Sequence, residues 1–154
     1  MNANADTAVL AELERLTEAF FRAVSFAQGA RPSYEDIYGL FIDTGLLIKN
    51  VGSSPEISTV AEFTRPRRAS VDAGQLTQFH EAEIAAVTEV FGNVAHRFSS
   101  YSKSGTLNGT PFSGRGMIST QFINTPGGWK MSAMAWDDER TGLALPSRFE
   151  SAQR

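Results

Sequence analysis

The sequence contains no cysteine, which excludes disulfides, thiolate metal sites and a cysteine nucleophile, and fits a reducing compartment. Positive charge is equally short. A net charge of -3 and a pI near 5.4 leave no field for nucleic acid, and the one basic cluster, Arg65, Arg67 and Arg68, is too small to create one. The start, MNANADTAVL, lacks a basic segment followed by an apolar core. No run approaches the roughly 18 apolar residues that a membrane helix needs. These absences point to a soluble, cytoplasmic protein with no nucleic-acid or membrane partner. Histidine is scarce too, with two in the chain. The segment FHEAE around His80 resembles half of a zinc-binding HExxH pattern, but the second histidine is missing and a strand would splay the ligands. No metal and no cofactor are expected.

What is present is a chain of 154 residues, the size of one domain with a real core. The stretch Gly114 to Asp138 reads as two strands closed by Pro126-Gly127-Gly128. Regular pairing outward from Asn124 and Trp129 puts Phe122, Thr120, Ile118 and Gly116 on one face with Met131, Ala133, Ala135 and Asp137. The other face receives Met117, Met134 and Trp136. Because both faces carry large apolar groups, two covers are needed: helices on one side and a second copy of the chain on the other, through Met117, Met134 and Trp136.

In chain order, residues 7–28 place Val9, Leu13, Leu16, Phe20, Ala23 or Val24, and Ala27 on one helical face, with Asp6 as N-cap and Gly29 as stop. Ser33 opens a second short helix through Tyr34, Ile37, Tyr38 and Phe41. A strand follows over 42–49. Thr59 and Glu62 form a capping box for a third helix, which Pro66 should end or kink before a short continuation to Gly74. Strands over 79–90 and 94–101, a polar loop over 103–113 and the C-terminal hairpin complete the order. The fold class is therefore α+β, with three N-terminal helices packed on a mostly antiparallel sheet. One domain spans residues 1–154: a core over about 7–138 and a surface tail from 139, frayed beyond Ser147.

The element order, together with YEDIYGLFIDTGLLI, FGNVAHRFSSY, RGMISTQF and GGWKMSAMAWDDER, resembles the nuclear transport factor 2-like superfamily. This is the cone-shaped, cystatin-like fold shared by ketosteroid isomerase, scytalone dehydratase and SnoaL-type cyclases. The resemblance implies a strongly curved sheet, a pocket between its concave face and the helices, and homodimers through the outer face. It does not bring the isomerase's apparatus with it. The base position falls at about Lys49, the first-helix tyrosine on Phe20 or Phe21, and the protonated aspartate on Thr120.

Candidate site residues follow from alternation combined with that resemblance. Pairing Val90 with Asn93 sets Ala86 beside Arg97, Ile84 beside Ser99 and Ala82 beside Tyr101, with His80 continuing that face. Glu81, Glu83 and Glu89 share the opposite face with Val94, His96 and Phe98. Alternation leaves open which face points inward. The family alignment favours Ala95, Arg97, Ser99 and Tyr101. An inward Arg97 needs Asp137 or an anionic ligand as partner, so the pocket suits a small molecule with a carboxylate or enolate-like oxygen. His80 serves as general base, Tyr101 orients a substrate oxygen, and Asp137 completes the set. Thr120, Tyr34, Tyr38 and Phe63 supply the remaining wall. Two functions stay open: a cofactor-free isomerase, dehydratase or cyclase, or a non-catalytic ligand-binding or dimeric assembly module.

Overall fold

A computed structural model describes residues 3–152, with side chains from Asp6 to Ala152. Helix α1 runs over Ala3–Val24 and buries Leu13, Leu16, Phe20 and Ala23, the stripe that the spacing predicts. Asp6 lies in its first turn and is not the N-cap. The helix stops before Gly29 because Phe26 leaves it to form an antiparallel bridge with Phe79, exchanging backbone bonds of 2.7 and 3.1 Å. The segment after Ser33 is a 3-10 turn, Tyr34–Gly39, and Ser33 makes no side-chain cap. Phe41 opens the next strand instead of closing that turn.

Strand β1, Phe41–Lys49, is followed by a short β2, Glu56–Ser58, at a place where no strand was expected. Helix α2, Val60–Asp72, carries the expected capping box: the Glu62 amide donates to Thr59 Oγ1 at 3.2 Å and the Thr59 amide to Glu62 Oε1 at 3.0 Å. Pro66 sits inside α2 without ending it, since one lost bond is offset by the burial of Val60, Phe63 and Thr64. Among the described residues there are thus two α-helices and a 3-10 turn where three N-terminal helices were expected.

Four long strands complete the sheet: β3 Leu76–Phe91, β4 Val94–Leu107, β5 Thr110–Thr125 and β6 Gly128–Asp138. The strand order is β2-β1-β6-β5-β4-β3, antiparallel throughout except for the parallel pair β1 and β6. The polar stretch 103–113 is no loop. Asn108 and Gly109 both adopt positive φ, 51° and 79°, closing a two-residue hairpin in which Leu107 pairs with Thr110. Lys103 therefore belongs to a strand.

Two irregularities decide which side chains face the helices. Phe122 pairs with Met131 as expected, but the register then slips so that Gln121 meets Ala133, leaving Ser132 as an extra residue. From there each β6 side chain changes face relative to strict alternation. Met134 and Trp136 turn inward, and Asp137 turns outward opposite Met117. A second slip between Glu83 and Ala85 does the same to β3: Glu81 and Glu83 lie on the inner face, whereas Glu89 lies outside against His96.

After Arg140 the chain doubles back onto the outer face of β3 and β4. Phe149, in the 3-10 turn Ser147–Phe149, is fully buried and meets Phe98 edge-on at 5.6 Å. The buried Ser100 hydroxyl donates to the Phe149 carbonyl at 2.6 Å. The tail docks past Ser147 instead of fraying there.

Candidate functional site

Between the inner sheet face, α1, α2 and the Tyr34–Gly39 turn lies a cavity of about 470 Å³, a size that suits a small organic ligand. Aromatic rings form much of its wall. Phe63 of α2 stands between Phe20 of α1, 6.3 Å away, and Trp136 of β6, 6.0 Å away at right angles. At the other end Phe79 and Phe112 pair at 6.2 Å.

Into this apolar chamber the sheet sends Glu81 from β3 and Lys103 from β4, which face each other across the strand pair. Burial pushes the Glu81 carboxyl up to about 7, and repulsion from Asp138 adds to the shift, while Lys103 and Arg67 pull the other way. Glu81 keeps some accessible surface, and that surface opens on the cavity. Lys103 Nζ is anchored at 2.7 Å to Asp138 Oδ2 of β6, two strands away. The second oxygen of Asp138 accepts from the Tyr101 hydroxyl, which burial and that carboxylate hold protonated well above the usual phenol range.

The Tyr101 side chain reaches β6 by lying across β5, and it can do so only because residue 116 is glycine. A Cβ there would collide with the Tyr101 ring and the Asp137 carbonyl. Glycine at 105 likewise leaves room for the Phe112 ring.

From the helical side Arg67 enters the cavity. Its guanidinium lies 3.7 Å over the Phe63 ring and gives one bond, 2.9 Å, to the Phe63 carbonyl. Among the described residues no carboxylate forms an ion pair with it, though its charge acts on both Glu81 and Tyr34. Tyr34 lines the same cavity; its phenol is raised by burial, against the pull of Arg67 and Arg68. Lys49 and Glu56, paired across β1 and β2, complete the charged part of the lining.

Of the residues nominated from the sequence, Tyr34 and Phe63 line the cavity. Arg97, Thr120 and Tyr101 are buried on the inner sheet face but contribute no cavity surface. Arg97 is bound internally: it holds Glu83 through two bonds of 3.0 and 2.5 Å and Thr88 through one of 2.7 Å, and the Ser99 hydroxyl also donates to Glu83. Its partner is thus Glu83 and not Asp137. Asp137 lies on the outer side, where Arg140 holds its carboxyl below the usual carboxylate range. His80, opposite Ser104, is exposed on the outer face, because its neighbours Phe79 and Glu81 point in. Tyr38 is 52% exposed, in a separate surface hollow beside Arg65 and Arg68. Met134 and Trp136, nominated for a dimer face, belong to the core and the cavity wall.

Sequence reasoning missed Glu81, Lys103, Asp138 and Arg67. Lys103 could have been found from Asn108-Gly109, a strong hairpin signal that extends β4 through it. Asp138 needed the Ser132 bulge, which alternation does not announce. Among the described residues no group of three or more metal-ligating side chains converges. Nor, among the described residues, is any helix long and apolar enough to cross a membrane.

The sequence matches no family model and no curated protein. Solved structures do match. A nuclear transport factor 2-like superfamily protein from Salmonella enterica superposes with a TM-score of 0.72 at 14% identity, over 92% of this chain and 99% of its own. The chain has the nuclear transport factor 2-like fold. LinA shares this fold with a TM-score of 0.75 at 11% identity, over 91% of this chain and 92% of its own. So does a Novosphingobium aromaticivorans protein provisionally assigned as a scytalone dehydratase, with a TM-score of 0.71 at 8% identity, covering 90% and 89% of the two chains. Against the nuclear transport factor 2-like expectations, Phe20 and Lys49 do line the cavity, while Thr120 stays behind it.

Proposed function

We propose that the cavity binds a small carbonyl-bearing molecule and that Glu81 moves a proton on it, without a cofactor, as an isomerase, dehydratase or cyclase does. The observation that carries this reading is a carboxyl set into an aromatic cavity, where burial pushes it up to about 7. A group poised there both takes and gives a proton near neutral pH, and general acid–base catalysis of this kind contributes roughly 10²- to 10⁴-fold. Lys103, held by Asp138, and Arg67 are the cations that would stabilise negative charge as it develops on a substrate oxygen. The provisional assignment of one fold neighbour as a scytalone dehydratase accords with chemistry of this type. The reading places the protein in the cytoplasm, and as a homodimer through the outer sheet face.

The test is exchange of acidic C–H protons into deuterated water, followed by proton NMR over a panel of enolisable carbonyl compounds. Wild type is expected to accelerate exchange for at least one compound. Glu81→Gln should lower the rate by about 100-fold or more, and His80→Ala, changed on the outer face, should leave it intact. Equal rates in wild type and Glu81→Gln would instead favour a non-catalytic ligand-binding module.

A further inference from the structure

We infer that the cavity selects a molecule with a carboxylate group on a flat conjugated body, and that Arg67 is the residue that holds the carboxylate. The inference rests on the proposal that this cavity is the working site, and it names the class of compound that enters.

Arg67 is the inward guanidinium left over. Lys103 is neutralised by Asp138 at 2.7 Å, whereas Lys49, across the strand pair from Glu56, makes no ion pair among the described residues but lacks a guanidinium's planar fork. Arg97, the other inward guanidinium, is spent on Glu83 and Thr88. Arg67 uses a single donor, toward the Phe63 carbonyl. None of the fully buried side-chain nitrogens among the described residues lacks a partner. Its remaining donors therefore keep accessible surface, Arg67 lines the cavity, and a planar fork of N–H groups suits a carboxylate. The stack of Arg67 on Phe63 fixes the plane of that fork. Phe20, Phe63 and Trp136 beside it offer flat apolar surface for a conjugated body. Tyr34, whose hydroxyl makes no hydrogen bond among the described residues, is a second donor within the same wall.

Charge sets the pH at which the site accepts an anion. The groups around Glu81 are Lys103 on β4, Asp138 on β6, Arg67 on α2, Tyr34 on the 3-10 turn, Lys49 on β1 and Glu56 on β2. With Glu81 protonated, three cations face two anions, and one positive charge is in excess. With Glu81 ionised the excess is gone. A carboxylate should therefore bind better below pH 7 than above it.

The experiment is isothermal titration calorimetry with cinnamate and its neutral amide, cinnamamide, on wild type, Arg67→Met, Arg67→Lys and Glu81→Gln. Wild type at pH 6 is expected to prefer the acid by about tenfold or more. That preference should vanish in Arg67→Met, survive in part in Arg67→Lys, and shrink above pH 7 in wild type but not in Glu81→Gln. Wild type that binds neither compound, binds both equally, or keeps its preference in Arg67→Met overturns the inference. Should Arg67→Met fail to fold, Arg67→Lys and the wild-type acid-to-amide ratio decide alone. An Arg67-dependent preference alongside exchange rates that ignore Glu81→Gln would keep this inference and remove the proton-transfer reading. Exchange that depends on Glu81 with no acid preference would do the reverse.

Discussion

Glu81 owes its proton to where it stands: water is thin around it, Asp138 repels its charge, and Lys103 and Arg67 recover only part of the cost. Because its folded value of about 7 lies above the ordinary 4.5, the folded protein binds this proton more tightly than the unfolded chain. Its contribution to stability therefore falls as pH rises from about 4.5 to about 7, then stays flat. The full penalty is on the order of 3 kcal/mol at about 1.4 kcal/mol per pH unit. Glu81→Gln should match wild type in chemical denaturation near pH 4.5 and exceed it by up to that amount at pH 8. A difference that does not grow with pH would show that the carboxyl is not held protonated. Inward placement of Arg97 came from the family resemblance, since alternation left the face open; its partner was not legible, because Glu83 reaches the inner face through a slip in β3 that strict alternation forbids.

At the scale of elements, hydrophobic spacing and turn chemistry gave α1, the α2 capping box, β1 and the four long strands, since each has a local cause, but not the three-residue β2. Bulges have none that a single sequence displays. Ser132 alone moves Met134 and Trp136 into the core, turns Asp137 outward and brings Asp138 inward to Tyr101. The tail was misread for a related reason: its anchor is one aromatic ring with no periodicity around it. Phe149 fills a site against Phe98, and its carbonyl satisfies the buried Ser100 hydroxyl. Phe149→Ala should cost about 3 kcal/mol or more in urea denaturation. A change under about 0.5 kcal/mol would mean that the tail is not part of the fold.

The whole molecule has one covered sheet face and one that only the tail covers, over β3 and β4. Helices and cavity take the inner face. On the outer face a row of registered neighbours crosses all six strands: Ile57, Ile48, Ala135, Ser119, Phe98 and Val87. Ile57, Phe98 and Val87 remain at least 40% exposed. This row takes the place of Met134 and Trp136 in the proposed dimer. Ala135→Glu, at its centre, should convert a dimer to monomers in light scattering, and a wild-type protein already monomeric would contradict the proposal. Sheet, helices and cavity meet at a single proton, so the most direct measurement is the titration of Glu81 itself. Carbon NMR of labelled glutamate carboxyls, assigned by loss of one signal in Glu81→Gln, should show a midpoint near 7. A midpoint in the ordinary glutamate range, about 4 to 5, would contradict the account.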